Sequence, residues 1–309
     1  MTMQTTKNIL LIRPSNFIFN PETAASNAFQ NEVKESRDTI MKKVFNEFEE
    51  FAAMLKSRGV NVFVFDDTQY PEKPDAVFPN NWVSFHSDGT VILYPMFAPN
   101  RRHERRQDII DSLKKDFQVT NLLDLSAYEK ENRFLEGTGS IVFDHQNKMA
   151  YACLSPRTDK ELFDKVCDYL RYKPVCFHAH DKGGKEIYHT NVMMCIGENF
   201  SVICLDSISD KKERELVFES LANTRHQIID ITFEQMNNFA GNMLAIQIND
   251  NKGILALSQS SFNSLTAAQK NEIEKYCELV PLSIKTIETI GGGSARCMIA
   301  EVFLKPIQQ

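Results

Sequence analysis

The sequence predicts one closed α/β domain with five-fold pseudo-symmetry, spanning residues 1–309. Three observations point there. A pattern recurs along the chain: a turn, an apolar strand, a charged amphipathic helix and a returning apolar strand, each copy a ββαβ-like unit. The copies start roughly every fifty residues, a spacing expected of radial repeats. Each unit alone leaves a sheet face uncovered, and five set around an axis bury their inner strands and place the helices outside.

The first unit is read as strand Asn8–Ile12, helix Arg37–Ser57 and strand Val60–Phe65. Its helix rests on a period of about 3.6 residues. Ile40, Val44, Phe48, Phe51, Ala52 and Leu55 share one face, and Gly59 closes it. The second opens at the turn Asp88-Gly89, with strand Thr90–Tyr94, helix Arg101–Lys115 and strand Phe117–Leu122. The third opens at His145-Gln146-Asn147, with strand Met149–Leu154, helix Thr158–Tyr172 and strand Lys173–Phe177. The fourth opens at Glu198-Asn199, with strand Phe200–Leu205, helix Asp210–Arg225 and strand Gln227–Ile231. The fifth opens at Asn249-Asp250-Asn251, with strand Gly253–Ser258, helix Thr266–Glu278 and strand Leu279–Ile284. Thr158 and Asp210 suit helix N-caps. No Gly/Ser/Pro linker divides the chain. The longest irregular stretch, Pro14–Glu35, is a candidate lid, since a loop that long in a compact domain is usually functional or mobile.

A net charge of -6 argues against a general nucleic-acid binder. The polar start, Met1 to Thr6, lacks the apolar core of a signal peptide, and no apolar run approaches a membrane span. The seven cysteines are odd in number and form no C-x-x-C pair, which fits reduced thiols in a cytoplasmic protein. Cys176, His178, His180 and Asp181 lie close together, but no second ligand pair accompanies them, so no metal is expected.

Between the units lie segments unlike core. They are Pro74–Trp82, Phe134–Ser140, Ile187–Val192, Asn237–Met243 and the run Gly291-Gly292-Gly293-Ser294-Ala295-Arg296-Cys297. Three glycines let a backbone approach a ligand closely, and a thiol at the mouth of such a turn suits a nucleophile. Taken singly, each feature has a plainer reading. Cys297 is then a small buried residue entering a strand, His189 a structural histidine, and Glu136 a turn cap. All five segments share one phase of the repeat, however, and equivalent positions converge on the axis. Cys297, His189 and Glu136 then meet, a set able to generate a nucleophile, move protons and orient the base.

By these residues the chain resembles the guanidino-group modifying, or pentein, superfamily of arginine deiminases, dimethylarginine hydrolases, agmatine deiminases and amidinotransferases. The resemblance spans essentially the whole chain. It is nearest to the citrulline-utilisation hydrolase branch, through Tyr188-His189-Thr190-Asn191-Val192-Met193-Met194 and the glycine-rich ending at Cys297. It implies a five-bladed α/β propeller, with Cys297 as nucleophile, His189 as general acid/base and Glu136 as the acid that orients it. Asp75 matches an aspartate that contacts substrate nitrogens. Arg157 and Arg102 match arginines that bind the substrate carboxylate. Phe78, Asn80, Asn81, Asn191 and Asn242 complete the expected substrate contacts. Arg101, Arg105 and Arg106 are expected on a solvated helix face. No cofactor is implied.

Guanidine-processing members place two further carboxylates on the cationic head group. Here those positions are Asn81, ending the pair Asn80-Asn81, and Asn191. A buried cation without paired anions is costly, whereas an amide offers an acceptor and donors that match a neutral ureido group. The resemblance therefore implies a cysteine hydrolase of a ureido C–N bond, citrulline to ornithine, with a protonated His189 beside the Cys297 thiolate. The alternatives are a guanidine deiminase, a dimethylarginine-type hydrolase, an amidinotransferase, or a non-catalytic binding module. The expected partner is a small molecule, with neither nucleic acid nor membrane, and a homodimer is left open.

Overall fold

Strands β1 (Asn8–Arg13), β2 (Asn61–Asp66), β3 (Val83–Phe85), β4 (Thr90–Leu93), β5 (Asn121–Asp124), β6 (Val142–Asp144), β7 (Met149–Cys153), β8 (Lys173–Phe177), β9 (Met194–Ile196), β10 (Phe200–Ile203), β11 (Gln227–Asp230), β12 (Leu244–Asn249), β13 (Lys252–Ser258), β14 (Glu278–Leu282) and β15 (Ala300–Glu301) carry the architecture. The computed structural model describes residues 3–249 and 252–307, so Asp250 and Asn251 of the fifth turn lie outside the described residues. The strands form five three-stranded sheets, β15-β1-β2, β3-β4-β5, β6-β7-β8, β9-β10-β11 and β12-β13-β14. They match the five expected units. In each, the middle strand runs antiparallel to the inner one and parallel to the outer one, as in Val142↔Tyr151 and Tyr151↔Val175. The helical crossover supplies the parallel partner.

The last strand lies in the first sheet, where β15 pairs with β1 through Ile9↔Glu301 and Leu10↔Ala300. This closes the ring. Inner strands β3, β6 and β9 are buried throughout, while outer strands β5 and β11 are largely exposed. The apolar core is correspondingly a ring of clusters between neighbouring sheets. Val44, Phe48, Ile254 and Val280 join the fifth sheet to the first, and Tyr151, Phe177, Phe200 and Val202 join the third to the fourth.

The first long helix spans Arg37–Ser57, and its buried residues are the six of the apolar stripe. Ser36 caps it by accepting from the Thr39 amide, and Gly59 follows its end at φ +89°. The third-unit helix is Lys160–Leu170, capped by Asp159 rather than Thr158. The Thr158 hydroxyl is committed elsewhere, donating to Ser140 Oγ at 2.9 Å. The fourth is Lys211–Asn223, capped by Asp210.

The second unit departs most from expectation. In place of one helix there is a 3-10 segment, Pro99–Glu104, and a short helix, Gln107–Leu113, parted by extended backbone at Arg105 and Arg106. The break turns Arg101 inward. The returning strand is Asn121–Asp124, because Phe117 instead packs edge-on against Phe63 and bridges Pro306. In the fifth unit the helix is divided into Gln259–Ser264 and Ala267–Ile273. Among the described residues no helix is long and apolar enough to cross a membrane.

One local device recurs before the inner strands. A single helical turn enters β3 (Pro79–Asn81), β6 (Gly137–Ser140) and β9 (Thr190–Met193). These turns, with the glycine run before β15, bring the candidate residues together.

Candidate active site

The glycine turn begins at the helix Lys285–Gly291, whose first amides, Thr286 and Ile287, donate to the carboxylate of Glu47 on the first long helix. Gly292 ends this helix at φ +63°, a left-handed conformation that disfavours side chains. A Cβ on Gly291 would stand 2.8 Å from the Phe78 ring, and one on Gly293 2.9 Å from it. The glycines thus admit Phe78, which lines the cavity as a packing surface. Ser294 donates to buried Glu288 at 2.7 Å, and the Ser294 carbonyl accepts the Cys297 amide at 2.9 Å. Cys297 itself is 5% exposed.

The sulfur's polar neighbours are two amides. Asn242 Nδ2 donates to Cys297 Sγ at 3.2 Å and Asn191 Nδ2 at 3.5 Å. Both asparagines are 1% exposed and neither lines the cavity. They stand behind the sulfur, which differs from the substrate contact expected of them.

His189 and Glu136 form a buried pair, with Nε2 2.7 Å from Glu136 Oε2. Burial would raise the Glu136 carboxyl, but Arg157, His189 and Arg101 outweigh it and hold it well below the usual range. A carboxylate only accepts, so Nε2 carries the proton and Nδ1 presents a lone pair. Burial pushes the imidazole down to about 4, against the upward pull of Glu136. His189 is therefore neutral near pH 7, contrary to the protonated form expected from sequence. Nδ1 lies beside Gly139, where a Cβ would come within 2.8 Å of it and within 2.3 Å of Asn81 Nδ2. Further bonds hold the Glu136 carboxylate and backbone. Oε1 accepts the Phe97 amide at 2.9 Å, while the Glu136 amide donates to Ser140 Oγ at 3.0 Å.

The opposite wall carries Asp75, Phe78, Asn81 and Arg101. Arg101, expected on a solvated face, is 2% exposed and clasps Glu104 with two hydrogen bonds of 2.8 and 2.9 Å. Burial opposes its charge, but Glu104 and Asp75 secure it. Its Nη1 donates to Asn81 Oδ1 at 2.9 Å. That fixes the amide, leaving Asn81 Nδ2 as a donor without a protein partner. Asp75 Oδ2 accepts from Asn20 at 2.7 Å, and Oδ1 is also without a partner. Burial pushes the Asp75 carboxyl up, with Arg101 and Asn20 opposing.

Two further expected substrate contacts, Arg102 and Asn80, lie off the cavity. Arg102 donates to the carbonyls of Met96 and Phe97 and leans on Glu129, because the 3-10 turn points its neighbour inward instead. Asn80 is fully buried, with its carbonyl against Gly137. Arg157 does line the cavity. Its guanidinium stacks over Tyr188 at 4.8 Å and lies 3.4 Å from Glu136. It already donates to Ser26 Oγ and the Thr23 carbonyl.

Those partners belong to the segment 14–35, which lies over the site. Asn20 holds Asp75, Thr23 and Ser26 hold Arg157, and Asn27 donates to the Gly291 and Gly292 carbonyls at 3.4 and 3.3 Å. Thr23, Asn27 and Tyr188 line the cavity too, and none was singled out from sequence. The long irregular stretch was a signal for the segment, but not for which residues reach inward. The cavity has a volume of about 20 Å³, room for roughly one water.

Of the metal candidates, Cys176 lies within β8, and His178, His180 and Asp181 follow that strand. His178 Nδ1 sits 2.9 Å from Glu213, and Asp181 Oδ1 accepts the amides of Gly183 and Lys185. Among the described residues no group of three or more His, Cys, Asp or Glu is placed to hold a metal ion.

The model of one family, described as N,N dimethylarginine dimethylhydrolase, eukaryotic, matches residues 13–304. No curated protein matches the sequence. The fold is similar to the substrate-bound N-terminal domain of ArgZ, an arginine dihydrolase from the ornithine-ammonia cycle in cyanobacteria. Its TM-score is 0.73 at 17% identity, covering 96% of this chain and 99% of that one. Against ArgZ's apo structure the TM-score is 0.74 at 17% identity, covering 97% of this chain and 41% of that one. A dimethylarginine dimethylaminohydrolase adduct with S-methyl-L-thiocitrulline gives 0.64 at 14% identity, covering 97% and 100%. At these identities the likeness is one of fold, the five-bladed α/β propeller of the pentein superfamily.

Proposed function

The chain belongs to the N,N dimethylarginine dimethylhydrolase family, pentein hydrolases of carbon–nitrogen bonds, and from that premise we propose that it cleaves the ureido C–N bond of citrulline through a covalent Cys297 intermediate. One observation carries the substrate choice. Two guanidiniums, Arg101 and Arg157, serve three carboxylates: Arg157 pairs with Glu136, while Arg101 clasps Glu104 and lies 3.7 Å from Asp75, whose charge burial opposes. Asn81 stands beside it as an amide donor. Such a wall suits a neutral head group, with Asn81 Nδ2 toward the ureido oxygen and Asp75 Oδ1 toward its NH2. A second reading, hydrolysis of a guanidine, is favoured by the unpartnered Asp75 oxygen and by the similar fold of ArgZ, an arginine dihydrolase. A guanidinium entering beside Asp75 would restore that carboxylate's charge.

In the reaction, His189 Nδ1 takes the thiol proton and Cys297 Sγ attacks the ureido carbon. The C–N bond to the side-chain nitrogen breaks, and His189 returns the proton to the departing amine of ornithine. A carbamoyl thioester remains. Water, deprotonated by His189, attacks it and releases carbamate, which falls to carbon dioxide and ammonia. Glu136 holds the imidazole tautomer throughout. The working unit is the single domain 1–309, and a cytoplasmic setting suits its seven free thiols.

Citrulline, arginine and dimethylarginine, each supplied alone, are to be assayed for ornithine, citrulline and ammonia. Ornithine and ammonia from citrulline are expected, and turnover of arginine alone overturns the ureido reading. Cys297→Ser is expected to abolish turnover while leaving the melting temperature within a few degrees. Acid-quenched wild-type enzyme should carry the carbamoyl adduct by mass spectrometry.

A further inference from the structure

We propose that Asn191 and Asn242 are catalytic residues that solvate the Cys297 thiolate, taking the part a protonated histidine plays in many cysteine enzymes. The proposal rests on the reading of Cys297 as nucleophile. Asparagines 191 and 242 were expected on the substrate, and the geometry puts them on the sulfur instead. Both Nδ2 atoms lie within hydrogen-bonding reach of Sγ, at 3.2 and 3.5 Å, and neither side chain lines the cavity. Among the described residues, no hydrogen bond joins His189 to Cys297, and His189 is neutral near pH 7.

The orientation of Asn242 is settled by its second contact. Nδ2 also donates to the Asn191 carbonyl at 2.9 Å, and a carbonyl can only accept. One amide hydrogen therefore faces that oxygen and the other faces the sulfur. Asn191 follows His189 by two residues, in the turn Thr190–Met193. Asn242 lies in the turn that starts at Phe239, where φ is +63° and the Asn242 amide donates to the Phe239 carbonyl at 2.8 Å. Gly241 presses the two turns together. A Cβ there would come within 2.4 Å of the Val192 carbonyl oxygen and 2.7 Å of the Met193 carbonyl carbon. The Asn242 donor is thus fixed before any substrate arrives.

A thiol accepts hydrogen bonds weakly, and a thiolate accepts them strongly. Two donors at one sulfur stabilise the thiolate as His189 Nδ1 draws off its proton. An oriented pair of neutral donors stabilises charge without bringing a cation into the site. That arrangement suits a head group that carries no charge of its own.

The test is the ultraviolet thiolate absorbance of Cys297, taken as wild type minus Cys297→Ser across pH. The same difference is measured in Asn242→Asp, Asn191→Asp and His189→Gln backgrounds. Each Asn→Asp change keeps the size and removes the donor. The thiolate signal is expected to require about one pH unit more alkaline solution, a roughly tenfold loss of anion, in either variant. In His189→Gln it is expected to stay within a few-fold of wild type. Coincident profiles for wild type and folded Asn→Asp variants overturn the proposal. If the Asn→Asp variants do not fold, the His189→Gln arm decides, and collapse of its thiolate signal assigns the sulfur's charge to His189 and overturns the proposal. Ser201→Ala, at another fully buried polar side chain distant in sequence from these turns, controls for loosened packing. The absorbance needs no substrate, so an error in the citrulline assignment leaves it untouched.

Discussion

At His189 two opposed influences meet: burial pushes the imidazole down to about 4, and Glu136, 2.7 Å from Nε2, pulls it up. The folded group binds its proton only below the ordinary value of 6.5. The active, neutral form therefore persists as pH falls through 6, and kcat/KM of the free enzyme should decline only on approach to pH 4. An acid limb centred near 6.5 would contradict this. The same shift makes the folded state bind fewer protons than the unfolded one between those values, so its contribution to stability is lost as pH falls across that window. At Gly292 the left-handed backbone and the nearness of Asn27 and Gln30 leave no room for a side chain. Gly292→Ala should destabilise by about 1–2 kcal/mol in denaturant unfolding. That Cys297, His189 and Glu136 would come together was legible from the shared phase of their segments, and not from any one of them. Which of Arg101 and Arg102 faces inward was not. Adjacent residues on a short 3-10 turn differ only in direction, and no periodicity runs long enough to decide it.

The helix Arg37–Ser57 was legible to its ends, since six apolar side chains repeat on one face and all six are buried. Its link to the chemistry was not legible, because Glu47 meets the amides of Thr286 and Ile287 across some 240 residues of sequence. The segment 14–35 is the counterpart case. Its irregularity was plain, whereas its polar contacts with Asp75, Arg157 and the glycine turn depend on tertiary placement. Asn20 is its chief tie, bonding Asp75 and Asn100 and capping the short helix Pro21–Ala24. Asn20→Ala should cost about 1 kcal/mol of stability and open the cavity more often. The check is the rate at which iodoacetamide alkylates Cys297, expected to rise. A slower reaction would mean that the segment orders the site without restricting entry.

At the scale of the whole molecule, the five-fold count was readable from turns, helices and middle strands. The inner strands were harder. β3, β6 and β9 are three residues long and buried on both faces, so they show neither alternation nor length. Closure of the ring by β15 against β1 ties the last segment to the first sheet. Unfolding should therefore be a single transition, with far-ultraviolet and near-ultraviolet circular dichroism superimposing. Two separated transitions would divide the chain into independent parts.

The convergence of turns from four of the five sheets on one small hollow has a mechanical consequence. The wall around Cys297 joins residues that are remote in sequence, from Thr23 through Asp75, Arg157 and His189 to Gly293. A small molecule admitted when the segment 14–35 lifts would become an axle pin touching four of the blades. Ligand at a hundred times its dissociation constant would add about 2.7 kcal/mol to the folded state. Because those four blades share that pin, the added resistance is spread among them rather than confined to the segment that covers the hub.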